Sequence, residues 1–286
     1  QDVVSFTGSA QTAEKLQLHP AIARESVRFV AERDSLNASI LGSDATPDAP
    51  EFELFIKEVA REMSVKAGQK CTAIRRAFVP AHLLDAAQSA LQAHLVRINV
   101  GDPRDKDTRM GALVSLAQRD DVRAKIRDIS LDAEIVFGDP GASPVSERGA
   151  FMSPILLRCE RPWEARGVHD VEAFGPVSTL MPYKDGADAI ALANRGKGSL
   201  VMSVFTHDDD FARDVVLGAG SFHGRLAFID RESAKESTGH GSPMPHMVHG
   251  GPGRAGGGED LGGMRGVTHY MQRTALQGHP RVLSSI

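Results

Sequence analysis

Of the two cysteines in this 286-residue chain, only Cys71 stands among neighbours that would make it react. It follows Gly68-Gln69-Lys70 and precedes Thr72-Ala73. A glycine-bearing turn brings backbone amides close to the sulfur, and a neighbouring cation favours the thiolate, the form that attacks carbon. Taken alone, the pattern also fits a small buried hydrophobe, the commoner fate of a free cysteine. Glu32 precedes it as a carboxylate able to act as a base, with Asp34 as a shorter competitor. Gly8 and Ser9 close an apolar run at a strand-to-helix turn, a place that caps a helix or receives an anion. Glu172, Phe174 and Asp260 would by themselves read as a solvated charge, a core aromatic and a turn carboxylate.

Three histidines, His240, His246 and His249, fall in one loop without a carboxylate or thiolate at ligand spacing. They are expected to shape a substrate mouth, and no metal is expected. Cys159 ends an apolar run and reads as structural. Two cysteines are too few for a disulfide framework or a thiolate zinc site.

The elements that must carry these side chains alternate. Val3 to Phe6 reads as a strand, Ala10 to Leu18 as a helix stopped by His19-Pro20, and Ser26 to Ala31 and Ala38 to Leu41 as further strands. Asp44 to Pro50 is a polar, proline-punctuated segment and the best internal boundary. From Glu51 to Met63, Phe52, Phe55, Ile56, Val59 and Met63 follow one helix face. The chain then turns through residues 67–70, placing Cys71 on a loop before a strand at Arg76 to Val79. Helices are expected at 82–95, 115–129, 187–194 and 208–217, and strands at 134–137, 155–159, 177–181, 200–205 and 225–229. This alternation favours an α/β fold with a mainly parallel sheet. A glycine-rich stretch from Gly239 to Gly266 is broken too irregularly for a linker, and Val267 to Leu276 is expected to form a terminal strand.

An apolar content of 41% over this length supports a sizeable core, and a net charge of −4 with interspersed signs gives no stripe for nucleic acid. No run approaches the roughly 20 apolar residues of a membrane helix. A cytoplasmic location is expected. The chain opens on Gln1 already in strand-like sequence, so it is expected to begin inside a fold with an upstream part missing.

Read together, Phe6-Thr7-Gly8-Ser9, Gly68-Gln69-Lys70-Cys71-Thr72-Ala73 and Glu172-Ala173-Phe174-Gly175-Pro176-Val177 resemble, in that order, the aldehyde dehydrogenase superfamily. The words Gly101-Asp102-Pro103, Gly111-Ala112-Leu113, Ser203-Val204-Phe205-Thr206 and the segment from Gly250 to Gly262 extend the resemblance over essentially the whole chain. It implies a three-layer α/β catalytic domain with a remnant of the Rossmann-like cofactor domain. The implied division is residues 1–48 for the remnant, 49–266 for the catalytic domain and 267–286 for an oligomerisation tail strand.

The resemblance assigns Cys71 as nucleophile, Glu32 as the base that activates water, and Asp260 to a proton relay. It assigns Gly8 and Ser9 to the cofactor pyrophosphate, and Glu172 and Phe174 to the nicotinamide ribose. Two departures stand out. The base of the family usually sits in a Glu-Leu-Gly-Gly word, where this chain has Glu32-Arg33-Asp34-Ser35, and the family's upstream oxyanion asparagine has no counterpart here.

The words Glu232 to Pro243 and His249 to Gly258 are similar to the aldehyde dehydrogenase domains of bacterial phenylacetate ring opening. The semialdehyde dehydrogenases of the benzoyl-CoA epoxidation pathway are the alternative. Both imply a CoA-linked semialdehyde as the small-molecule partner, NADP as cofactor with NAD possible, and a homo-oligomer. An isolated piece of such an enzyme is expected to be inactive.

Overall fold

The computed structural model describes residues 2–261 and 263–286, with the backbone alone at 259–261. Its first strand, β1 (Val3–Thr7), ends at Gly8, and the Ser9 hydroxyl then accepts from the Thr12 amide to start α1 (Ala10–Gln17). Pro20 does not merely stop that helix. It opens a short α2 (Pro20–Ala23), where its fixed φ and missing N–H suit a first turn. The chain returns as β2 (Arg28–Glu32), parallel to β1 in a sheet of two strands.

The main sheet begins at β3 (Ala38–Leu41), followed by α3 (Pro50–Ser64), β4 (Arg76–Pro80) and α4 (Leu84–Leu95). After α5 (Leu116–Ile129) come β5 (Glu134–Phe137), β6 (Ile155–Arg158), α6 (Gly167–Asp170) and β7 (Val177–Tyr183). The remaining units are α7 (Gly186–Asn194), β8 (Met202–Phe205), α8 (Asp209–Ala219) and β9 (Leu226–Ile229). The strand order is β5-β6-β7-β4-β3-β8-β9, parallel throughout except where β5 runs against β6.

Strand alternation divides the core into two layers. Phe78, Met181, Met202 and Val204 face the α5, α7 and α8 side, whereas Ala77, Val79, Leu180 and Phe205 face α3 and α4. The apolar face of α3 is fully engaged there: Phe55, Ile56, Val59 and Met63 are all inaccessible to solvent. Truncating Phe55, whose ring meets that of Phe205 edge to face, would cost roughly 3–5 kcal/mol.

Two expectations are corrected. First, β3 belongs to the centre of the main sheet, so the passage between sheets falls at residues 33–37 and not within 44–50. The proline-rich segment is a tight connector instead: Asp44 accepts from the Thr206 hydroxyl at 2.6 Å and the His207 amide at 2.8 Å. Second, the terminal strand over 267–276 is absent. Residues Gly263–Tyr270 form a helix, α9, and Pro280–Leu283 a short α10. A strand needs a partner edge to satisfy its backbone, whereas a helix satisfies most of its own. The tail lies instead against the small sheet, where Arg28 donates to the His269 carbonyl at 2.9 Å. No described helix is long and apolar enough to cross a membrane.

Candidate active site

Three loops entering neighbouring strands meet at the amino-terminal edge of the main sheet: residues 33–37 before β3, 65–75 before β4 and 171–176 before β7. The middle loop carries Cys71. It leaves α3 through Lys66, Ala67 and Gly68, all with φ between 53° and 67°. Only glycine fits the third position, because a Cβ on Gly68 would collide with the Gly175 carbonyl of the next loop.

Two buried side chains fix this crossing. Asn37 donates from Nδ2 to the carbonyls of Cys71, at 2.7 Å, and Ala73, at 3.0 Å. Arg75 donates to the carbonyls of Gly68, at 2.8 Å, and Gly175, at 2.7 Å, and lies over the Phe174 ring. Neither residue was singled out from the sequence. The adjacent pair Arg75-Arg76 at the start of an apolar strand was the available signal, since charges there must be buried and bonded.

Cys71 is half-buried, and burial together with the Glu32 carboxylate pushes its thiol up to about 12. The backbone amides of Cys71 and Thr72 pull in the opposite direction. The expected help from Lys70 is not found: its ammonium is paired with the buried Glu62 at 2.6 Å. The resting sulfur is therefore a protonated thiol. Glu32, at the end of β2, is the carboxylate beside it, whereas Asp34 is engaged elsewhere, accepting from the Ala10 amide at 2.9 Å.

Gly8, Ser9, Glu32, Cys71, Glu172 and Phe174 all line one cleft of about 580 Å³. Gln118, Asp121 and Lys125 of α5 complete it, and Gln118 holds the Phe174 carbonyl at 3.1 Å. At the α1 end, the Gly8 amide is already bonded to the Glu32 carbonyl at 3.1 Å. Glu172 is buried, and its Oε1 has no hydrogen-bond partner among the described residues; Arg75 Nε lies 3.7 Å away. Burial lifts this carboxyl to about 7, against the pull of Arg75. An orphaned buried acceptor on the cleft wall suits a hydroxyl donor such as a ribose.

The histidine expectation is corrected. His240 is a core residue, bonded to Ser203 and the Thr72 carbonyl, and His246 is exposed. His249 lies 4.0 Å from the Cys71 sulfur and 3.4 Å from Glu32, so the fold supplies the thiolate and carboxylate company that the loop's own sequence lacks. It stands on β10 (Val248–Gly250), paired with β11 (Glu259–Leu261) so that its backbone faces that of Asp260. The Asp260 side chain lies outside the described residues. The glycine-rich segment clasps β2, with the Gly258 amide on the Ala31 carbonyl and no room for a Cβ there.

Comparison with known proteins places the chain in one family. The aldehyde dehydrogenase family model matches residues 1–275. The chain is 48% identical over 255 residues to 3,4-dehydroadipyl-CoA semialdehyde dehydrogenase of Aromatoleum evansii, covering 88% of this chain and 50% of that protein. It is 52% identical over 178 residues to protein MaoC of Klebsiella aerogenes, covering 62% of this chain and 52% of that protein. Its fold matches the crystal structure of betaine aldehyde dehydrogenase from Staphylococcus aureus in complex with NAD+, with a TM-score of 0.81, 27% identity and coverage of 94% and 50%. The chain thus spans about half the length of the relatives it matches. It belongs to the aldehyde dehydrogenase family.

Proposed function

We propose that this chain carries the nucleophile and base of an enzyme that oxidises a CoA-linked aliphatic semialdehyde to its acid with NADP, through a thioester on Cys71. The observation that carries the reading is the single cleft that brings Cys71, Glu32, Glu172 and Phe174 together. The 48% identity to a CoA-semialdehyde dehydrogenase supports the substrate class. The likeness of the glycine-rich segment to the phenylacetate ring-opening enzymes supports a role in aromatic breakdown, with the benzoyl-CoA epoxidation pathway as the second setting.

In this reading, substrate entry and loss of the thiol proton, to Glu32 or to His249, let the sulfur attack the aldehyde carbon. The Cys71 and Thr72 amides, whose pull favours negative charge at the sulfur, would donate to the developing oxyanion. A bound nicotinamide would accept the hydride, and the orphaned Glu172 oxygen with the Phe174 ring would hold its ribose. Gly8 and Ser9, on the same cleft, would hold its pyrophosphate. Glu32 then takes a proton from the water that splits the thioester, and the Asp260 segment receives it.

The test is reduced-cofactor formation from a CoA-linked semialdehyde by an intact enzyme that carries this chain, with NADP and NAD compared. Turnover that prefers NADP and is abolished by Cys71→Ala is expected. Undiminished turnover in both Cys71→Ala and Glu32→Gln would reject the assignment.

A further inference from the structure

A thiol, an imidazole and a carboxylate converge in this cleft: Cys71 Sγ, His249 Nε2 and a Glu32 oxygen all lie within 4.8 Å of one another. They come from three separate parts of the chain, a loop before β4, strand β10 and strand β2. We propose that these three side chains form a binding site for a borderline-soft divalent cation of the zinc class, which ties up the nucleophile and the base together and so silences the site reversibly.

The geometry is close to what such an ion needs. Metal bonds of about 2.3 Å to sulfur and about 2.0–2.2 Å to nitrogen and oxygen place neighbouring tetrahedral donors roughly 3.3–3.6 Å apart. His249 and Glu32 already stand at 3.4 Å, and His249 and Cys71 at 4.0 Å. The rest closes by small rotations of side chains that are all only partly buried. Three protein ligands leave a fourth position open, toward the cleft that Cys71 and Glu32 line.

Charge gives the reason to bind. Without a cation, the carboxylate opposes ionisation of the neighbouring thiol. With a dication between them, thiolate and carboxylate balance its two charges, and their repulsion becomes attraction. Binding exchanges the thiol proton for the metal: the S–H bond breaks, a sulfur–metal bond forms, the proton leaves to solvent, and no electron is transferred. The ligand set of thiolate, imidazole and carboxylate selects zinc-like ions over magnesium or calcium. The silencing rests on the roles proposed above for Cys71 and Glu32, whereas ion binding does not depend on which reaction the cleft performs, and its test needs no turnover.

The test is titration of the chelator-treated protein with cobalt(II), a spectroscopic substitute for zinc. One equivalent should give a thiolate-to-cobalt charge-transfer absorption in the near ultraviolet, lost in Cys71→Ser. Outer-shell changes alone cost metal sites about 10–100-fold in affinity, so His249→Ala, checked for native circular dichroism, should weaken binding at least that much. His246→Ala, in the same loop but exposed, should bind as the unaltered protein does. Zinc should also block alkylation of Cys71, and chelator should restore it. Absence of the charge-transfer band, or His249→Ala binding as tightly as the unaltered protein, would overturn the proposal. Should His249→Ala fail to fold, His249→Gln serves in its place, with the same two outcomes.

Discussion

The Glu32 carboxylate and the Cys71 sulfur approach within 4.8 Å, yet they are held by different sheets. Glu32 ends β2 of the small sheet, while Cys71 rides the loop that feeds β4 of the large one. Their approach depends on contacts far from either residue: the clasp of the glycine-rich segment on β2, and the Asn37 and Arg75 bonds that set the nucleophile loop. The resting consequence is a protonated, weakly reactive thiol, because burial and the facing carboxylate oppose the thiolate.

Replacing Glu32 with Gln removes the charge that opposes the thiolate, so the Cys71 pKa should fall. A fall of one unit raises the thiolate fraction, and with it the alkylation rate at pH 8, on the order of tenfold. Iodoacetamide labelling of Cys71 followed by mass spectrometry measures this. An unchanged or slower rate in the variant would show that Glu32 does not control the thiol.

Arg75 is the buried cation that joins the Cys71 loop to the loop bearing Glu172. In Arg75→Met the Glu172 carboxyl loses its partner, and breaking a buried pair from one side costs roughly 3–5 kcal/mol. Denaturant unfolding should show that loss, and adding Glu172→Gln should recover part of it. If the double variant is no more stable than Arg75→Met alone, the pair is not coupled.

Gly68→Ala places a methyl group against the Gly175 carbonyl at a backbone angle of φ +67°. The loop must then shift, and thiol labelling of Cys71 should change while far-ultraviolet circular dichroism holds. Activity should fall by more than stability. A variant with native labelling and native activity would contradict the close crossing.

Stability should depend on pH through the buried histidines. His169, His223 and His240 are each held down to about 3 by burial, well below the ordinary value of 6.5. As pH falls below 6.5 the unfolded chain takes up protons that the fold refuses, so stability present above 6.5 is lost progressively toward pH 3. Glu172 acts the other way, since a carboxyl raised from 4.5 to about 7 loses stability as pH climbs across that interval. Between pH 4.5 and 6.5 three histidines oppose one carboxyl, so the melting temperature should rise with pH. His240→Gln should flatten the rise and Glu172→Gln should steepen it.

Strands β3 and β5 and helix α5 form where the sequence expects them, at 38–41, 134–137 and within one residue of 115–129, because local composition and flanking turns suffice there. The words around Gly8, Cys71 and Glu172 gave the candidate site for a similar reason: each sits on a turn whose backbone the motif itself shapes. What could not be read depends on contacts distant in sequence. His249 gains its meaning only when β10 folds beside β2, and Arg75 only when three loops cross. The Asp44 segment looked like a linker because its bonds to Thr206 and His207 come from the other side of the sheet. The first four residues of the expected tail strand, Val267 to Tyr270, belong instead to α9.

In the proposed reaction Cys71 forms a thioester which Glu32 then clears. Incubating the Glu32→Gln variant of an intact enzyme that carries this chain with a CoA-linked semialdehyde and NADP, quenching in acid and mapping peptides by mass spectrometry tests it directly. An acyl adduct on the Cys71 peptide is expected, carrying the mass of the aldehyde less one hydrogen in place of the thiol hydrogen. It should build up because removing the base slows hydrolysis on the order of 100-fold or more. Product formed at the native rate with no acyl group on Cys71 would contradict it.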